Sequence, residues 1–151
     1  MSMVYVGVDP GMRGGLAILE DGMVTVIPCD YKEYASQLSA LDPAYTIVTI
    51  ENVHAMPKQG VSSTFSFGEG FGKIQGILIA LGFKYEKVEP KVWKKHFGLS
   101  KDKDESIHLA RETFPCVSLL PTPRCKKDSD GMAEALLIAK YGRDTHKGGV
   151  K

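Results

Sequence analysis

An Asp21-Gly22 pair separates two six-residue apolar runs, 15–20 and 23–28, and a third apolar run, 4–9, lies just upstream. Asp-Gly between apolar runs favours the two-residue turn whose twist matches a β-hairpin. The first 28 residues therefore commit to a three-stranded meander. Further on, the pattern changes. Residues 31–41 place Tyr31, Tyr34, Leu38 and Leu41 on one helical face, and 46–51 (Thr-Ile-Val-Thr-Ile-Glu) read as a strand. A polar loop is expected over 53–64, followed by a helix over 66–81 with Phe67, Phe71, Ile74, Leu78 and Leu81 on one face. Then come a strand near 84–89, a short helix near 91–97, a helix near 102–114, a Pro-rich loop at 115–127 and a last helix near 131–141. A meander followed by alternating helix and strand predicts an α/β domain: a mixed five-stranded sheet flanked by helices. At 151 residues the chain has room for one core, and a single domain spanning 1–151 is expected, with 143–151 as a loose basic tail.

Composition excludes several classes. With 43% hydrophobic and 25% charged residues the chain is neither disordered nor fibrous. Cys29, Cys116 and Cys125 form no CxxC pair, which argues against a disulfide framework or zinc knuckle and fits a reducing compartment. The start of the chain runs into a strand without a signal-like region, and no apolar stretch is long enough for a membrane span, so a cytoplasmic location without membrane contact is expected. There is no Walker A sequence, and His54, His96, His108 and His146 lack zinc-like spacing.

The net charge of +1 does not mark a nucleic-acid binder, but the distribution of charge is uneven. Between residues 84 and 103, seven lysines (Lys84, Lys87, Lys91, Lys94, Lys95, Lys101, Lys103) face three acids, and Arg124, Lys126 and Lys127 follow. Clustered cations of this kind neutralise phosphates, although a solvated face would also carry lysines. Lys58 sits in the polar loop with Met56, and Phe65 closes it. Met56 and Phe65 are candidates for stacking on an unpaired base, with a place in the core as the alternative for Phe65. Gly68, Gly72 and Gly76 recur every fourth residue, so either the protein's own sheet or a second copy of the helix approaches closely there.

The acidic residues carry the chemistry. Asp9 and Glu51 each end an apolar strand, and sheets of this class place ligand sites at strand C-termini. If the two strands are parallel neighbours, the carboxylates lie side by side, where their repulsion calls for a cation. Downstream, Asp128-Ser129-Asp130-Gly131-Met132-Ala133-Glu134 precedes an almost wholly apolar helix. Asp130 is expected as its N-cap, with Glu134 one turn further on. Each acid alone would also suit a solvent-exposed strand or helix end.

In their order, Gly7-Val8-Asp9-Pro10-Gly11, Gly15-Leu16-Ala17-Ile18, Ile50-Glu51 and Ala133-Glu134-Ala135-Leu136-Leu137 resemble the RuvC-type Holliday-junction resolvases of the RNase H-like superfamily. Pro90-Lys91-Val92-Trp93-Lys94-Lys95 and Ser106-Ile107-His108-Leu109-Ala110 look similar too, and the small size and the Asp-Gly-Met-Ala-Glu-Ala wording resemble the bacteriophage-type branch. The likeness spans roughly residues 4–142. It implies an RNase H-like fold and a homodimer that resolves four-way DNA junctions in a bacterial or phage-infected cell. It further implies a site holding two Mg²⁺ (or Mn²⁺) ions and products with 5′-phosphates. Asp9, Glu51 and Glu134 match the family's acidic positions. For the fourth, Gly131 occupies the bacterial position, leaving Asp130 or Asp128, of which Asp130 is preferred. Lys94 falls near an assisting basic residue. The expected DNA contacts are Lys58, Phe65, Lys91, Lys95, Lys101, Lys103, Arg124, Lys126 and Lys127, and the expected dimer contacts are Gly68, Gly72 and Gly76. Rival readings are a broader nuclease acting on branched DNA or RNA–DNA hybrids, an actin-like nucleotide-binding fold, and a non-catalytic DNA-binding module. Trp93 reads as a core anchor.

Overall fold

The computed structural model describes residues 2–147. Its strands are β1 (Val4–Asp9), β2 (Gly15–Glu20), β3 (Met23–Pro28), β4 (Thr46–Glu51) and β5 (Tyr85–Val88). Its helices are α1 (Tyr31–Ser39), α2 (Val61–Ala80), α3 (Pro90–His96), α4 (Lys103–Thr113) and α5 (Asp130–His146). The sheet order is β3-β2-β1-β4-β5. β2 is antiparallel to β1 and β3, whereas β4 is parallel to β1 and β5. The β2–β3 turn places Asp21 at φ 46° and Gly22 at φ 78°, the double left-handed conformation that the Asp-Gly pair favours.

Two apolar layers sandwich the sheet. On one face, Tyr34 and Leu38 of α1 and Ile74 and Leu78 of α2 pack on Val6, Val8, Val48 and Ile50. On the other, α5 buries Met132 and Leu136 to Ala139 together with Trp93, Ala110 and Phe114. α5 lies unusually close to β1. A Cβ on Gly7 would stand 2.2 Å from the Ala139 amide nitrogen and 2.3 Å from the Ala135 carbonyl, so only glycine permits this crossing. At the start of α5, a Cβ on Gly131 would stand 1.9 Å from the Arg13 carbonyl. These two backbone-on-backbone contacts seat the first turns of α5 beside the C-terminal end of β1, which is where the candidate site forms.

Three boundaries differ from expectation. α2 begins at Val61, not 66, so the polar loop is shorter. Gly60 serves as its N-cap and the Thr64 amide already bonds the Gly60 carbonyl at 2.9 Å, so Ser62, Ser63 and Thr64, which read as loop residues, are helical. The N-cap of α5 is Ser129, whose side chain accepts from the Met132 amide, and Asp130 is the first helical residue. α5 also continues through His146. The expected loose tail is thus corrected for 143–146, which form the last helical turn, held by the Lys140–Asp144 pair and by His146 on the Gly142 carbonyl. Residues 148–151 lie outside the described residues.

Candidate metal centre

The parallel register pairs Val8 with Ile50, so the next residues, Asp9 and Glu51, end their strands side by side. Glu134 comes to them from α5 and is 5% exposed. One carboxylate oxygen from each of Asp9, Glu51 and Glu134 lies within 4.8 Å of the others. These acids, together with Asp130, Lys94 and Lys103, line a cleft of about 540 Å³ that also includes Met12, Tyr31 and Phe67.

Burial and mutual repulsion set the electrostatics. Burial, then Glu51 and Glu134, hold the Asp9 carboxyl well above the ordinary aspartate range. Glu134 is raised by burial, against the pull of Lys94, whose Nζ is 3.9 Å from Oε1. Glu51 is raised by burial, partly opposed by the indole N–H of Trp93, which donates to Oε2 at 2.8 Å. Asp130 is bonded by the Lys103 ammonium at 2.6 Å, and that bond pushes the Lys103 pKa up. Three clustered carboxylates with two ammonium groups at their edge leave excess negative charge. Hard oxygen donors in such a cluster fit a divalent ion such as Mg²⁺ or Mn²⁺.

The other expected site residues fall into distinct places. Asp128 does not line the cleft and pairs with Arg111, whereas Asp130 is the fourth acid that lines it. Lys91, Lys95 and Lys101, with Lys94, line a second cavity of about 1110 Å³ beside the first. The two cavities share Glu51, Phe67, Pro90 and Lys94 as a common wall. Lys103 belongs to the acidic cleft. Lys58 is exposed in the loop at φ 69°, and Arg124, Lys126 and Lys127 are exposed in the connection before α5; these four line neither cavity. Phe65 is 72% exposed, which overturns the core alternative, and Met56 is 66% exposed. A Cβ on Gly68, Gly72 or Gly76 would meet nothing within 4 Å, so packing on the protein's own sheet is overturned as well; the glycine of α2 that packs internally is Gly70, against Tyr31.

Sequence reasoning missed two features. Trp93 is indeed a core anchor, with no exposed surface, but its N–H reaches an acid of the cleft. Lys103, read as a phosphate contact, bonds Asp130 across 27 residues of sequence. A lone tryptophan just after the strand beside β4 was the only available hint of the former.

No protein-family model matches the sequence, and no curated protein matches it. Solved structures do. The chain is similar to Thermus thermophilus RuvC in complex with a Holliday junction substrate, at a TM-score of 0.63, 17% identity and 97% coverage of both chains. It is likewise similar to another structure of Thermus thermophilus RuvC, at a TM-score of 0.58, 18% identity and 97% coverage of both chains. The fold is therefore the RuvC-like, RNase H-like one: among the described residues, a mixed five-stranded sheet with five α-helices. No helix among the described residues is long and apolar enough to cross a membrane.

Proposed function

We propose that this chain is a metal-dependent endonuclease of the RuvC type that resolves four-way DNA junctions as a homodimer in the cytoplasm. The observation that carries this reading is the convergence of Asp9, Glu51 and Glu134 within 4.8 Å at the strand ends of a RuvC-like fold. A structural neighbour bound to a Holliday junction substrate supports the choice of DNA. The Asp-Gly-Met-Ala-Glu-Ala segment favours the phage-type branch.

Asp9, Glu51 and Glu134 would hold the ions, two per site, with Asp9 facing both other carboxylates and Asp130 completing the set. Bound divalent ions supply a water of lowered pKa and neutralise charge at the scissile phosphate. Lys94 and Lys103 flank the acids and would supply positive charge where a phosphate enters; attack of water on phosphorus with departure of the 3′ oxygen would leave a 5′-phosphate and a 3′-hydroxyl. Lys91, Lys95 and Lys101 line the adjoining cavity with apolar Phe67 and Leu99 and would track the strand beyond the cut. Lys58, Arg124, Lys126 and Lys127 would meet phosphates farther out, and exposed Phe65 and Met56 would stack at the junction centre.

The outer side of α2 supports the dimer. Val61, Gly68, Gly72, Gly76 and Ile79 fall on one stripe at helical spacing and all are exposed, Val61 by 89% and Ile79 by 66%. Such a stripe would let a second copy's helix approach over the glycines, and a two-fold protein suits a substrate that needs two nicks.

Cleavage of a synthetic four-way junction with Mg²⁺ or Mn²⁺, compared with flap and RNA–DNA hybrid substrates, tests the reading. Asp9→Asn should abolish cleavage and preserve junction binding. Wild-type rates from a metal-supplied Asp9→Asn protein would show that the site is misassigned, and a preference for hybrids would identify a different RNase H-like nuclease.

A further inference from the structure

Trp93 is the only tryptophan in the chain and sits with no exposed surface among the core residues beneath α5. A buried indole needs an acceptor for its one N–H. Here the acceptor is Oε2 of Glu51, 2.8 Å away and 42 residues distant in sequence.

The helix that carries Trp93 is fastened to the strand that carries Glu51. The Asn52 amide donates to the Val88 carbonyl at 2.7 Å, just before α3. The Asn52 side chain donates to Glu89 at 2.7 Å, and His54 Nε2 lies 3.1 Å from the same carboxylate. Pro90 then opens α3 at a position where its missing N–H costs nothing. The residue after Glu51 and the residues before Trp93 are thus tied together, so the indole and the carboxylate face each other across a short, braced gap. Lys94, next along α3, faces Glu134 from the same helix.

We propose that Trp93 is a positioning residue: its N–H holds one oxygen of Glu51 and so fixes the plane in which that carboxylate presents its remaining lone pairs to a divalent ion. This rests on the reading of Glu51 as a metal ligand. An unheld glutamate at the end of a strand has a broad, soft terminal torsion and spreads over many orientations. A charge-assisted hydrogen bond away from solvent removes that freedom before the ion arrives. Partners of this kind, one step out from a metal ligand, typically change metal affinity or activity by about 10–100-fold when lost.

The single tryptophan makes a clean test available. Growth of a tryptophan auxotroph on benzothienylalanine replaces the indole N–H with sulfur at this one position and keeps the ring's shape. Mn²⁺ affinity is measured by calorimetry on metal-free protein, and junction cleavage is measured against both metal and junction concentration. The expected result is Mn²⁺ binding weakened by about 10–100-fold, a parallel rise in the metal concentration for half-maximal cleavage, and a junction KM changed less than twofold. Circular dichroism should show the fold retained. Trp93→Phe, which also lacks the N–H, should reproduce the metal defect on a smaller side chain. Unchanged Mn²⁺ affinity in the isosteric protein overturns the inference, because the N–H would then be merely satisfied by Glu51. Absence of Mn²⁺ binding by the natural protein overturns the metal reading and this inference with it. Metal binding that weakens in the isostere without junction cleavage by the natural protein upholds the inference and refutes the proposed substrate.

Discussion

Removing one negative charge from the cleft should stabilise the metal-free protein. The carboxylate oxygens lie within 4.8 Å of one another, and at that outer limit two ionised groups repel by about 3.5 kcal/mol at an effective dielectric constant of about 20. Asp9 faces two such neighbours, so the gross repulsion is about 7 kcal/mol, partly offset by Lys94 and Lys103. A proton taken up by the cluster would relieve the rest, which is the direction in which burial and the neighbouring carboxylates push Asp9. At pH 7 such uptake costs at most about 4 kcal/mol, since pH 7 stands about three units above an ordinary carboxyl pKa and each unit is about 1.36 kcal/mol. Asp9→Asn, close in shape and uncharged, should therefore stabilise the metal-free protein by about 2–4 kcal/mol at pH 7, roughly 5–15 °C in Tm. The sign follows from the raised Asp9 pKa. Between the unfolded and folded values the folded state binds more protons, so wild-type stability falls as pH rises through that window. The advantage of the Asn variant is thus absent in strong acid, grows through the window and levels off above it. Thermal melts in EDTA from pH 4 to pH 8 measure this, and adding Mg²⁺ should restore wild-type stability far more than that of the variant. A wild-type protein that melts in EDTA at pH 8 at the same temperature as Asp9→Asn would refute the reasoning, because the carboxylates would then not share one electrostatic site.

Two further outcomes are expected. Gly131→Ala drives a Cβ to 1.9 Å from the Arg13 carbonyl and 2.7 Å from the Gly14 Cα, so it should cost about 1–3 kcal/mol in chemical denaturation and slow cleavage by shifting Glu134; a variant with wild-type stability and rate would show that the start of α5 gives way freely. Gly72→Leu, on the open stripe of α2, should leave the monomer folded yet lower the sedimentation coefficient and separate the paired nicks; unchanged sedimentation and junction binding would remove α2 as the interface.

Much of the fold was legible because it depends on local rules. β1 to β4 follow from apolar runs of strand length and from one Asp-Gly turn, and the structure keeps their boundaries. The expectation that Asp9 and Glu51 adjoin needed one topological assumption, a parallel β1–β4 pair, and the register satisfies it. Local rules misled where composition imitates a loop. Ser62, Ser63 and Thr64 look like turn residues, yet they form the first turns of α2 and carry Phe65 onto its exposed side.

The amino-acid order alone determined which acids stand at strand and helix ends, because chain direction and strand length place them there whatever the rest of the molecule does. Only the tertiary structure decided that Glu134 joins them. That depends on Gly7 and Gly131 letting α5 press against β1 and its turn, a contact between backbones more than a hundred residues apart. It also decided which partner each acid keeps: Trp93 for Glu51, Lys103 for Asp130, Arg111 for Asp128. Those pairings are set by where surfaces meet after the chain has closed on its core, and no spacing along the sequence encodes them.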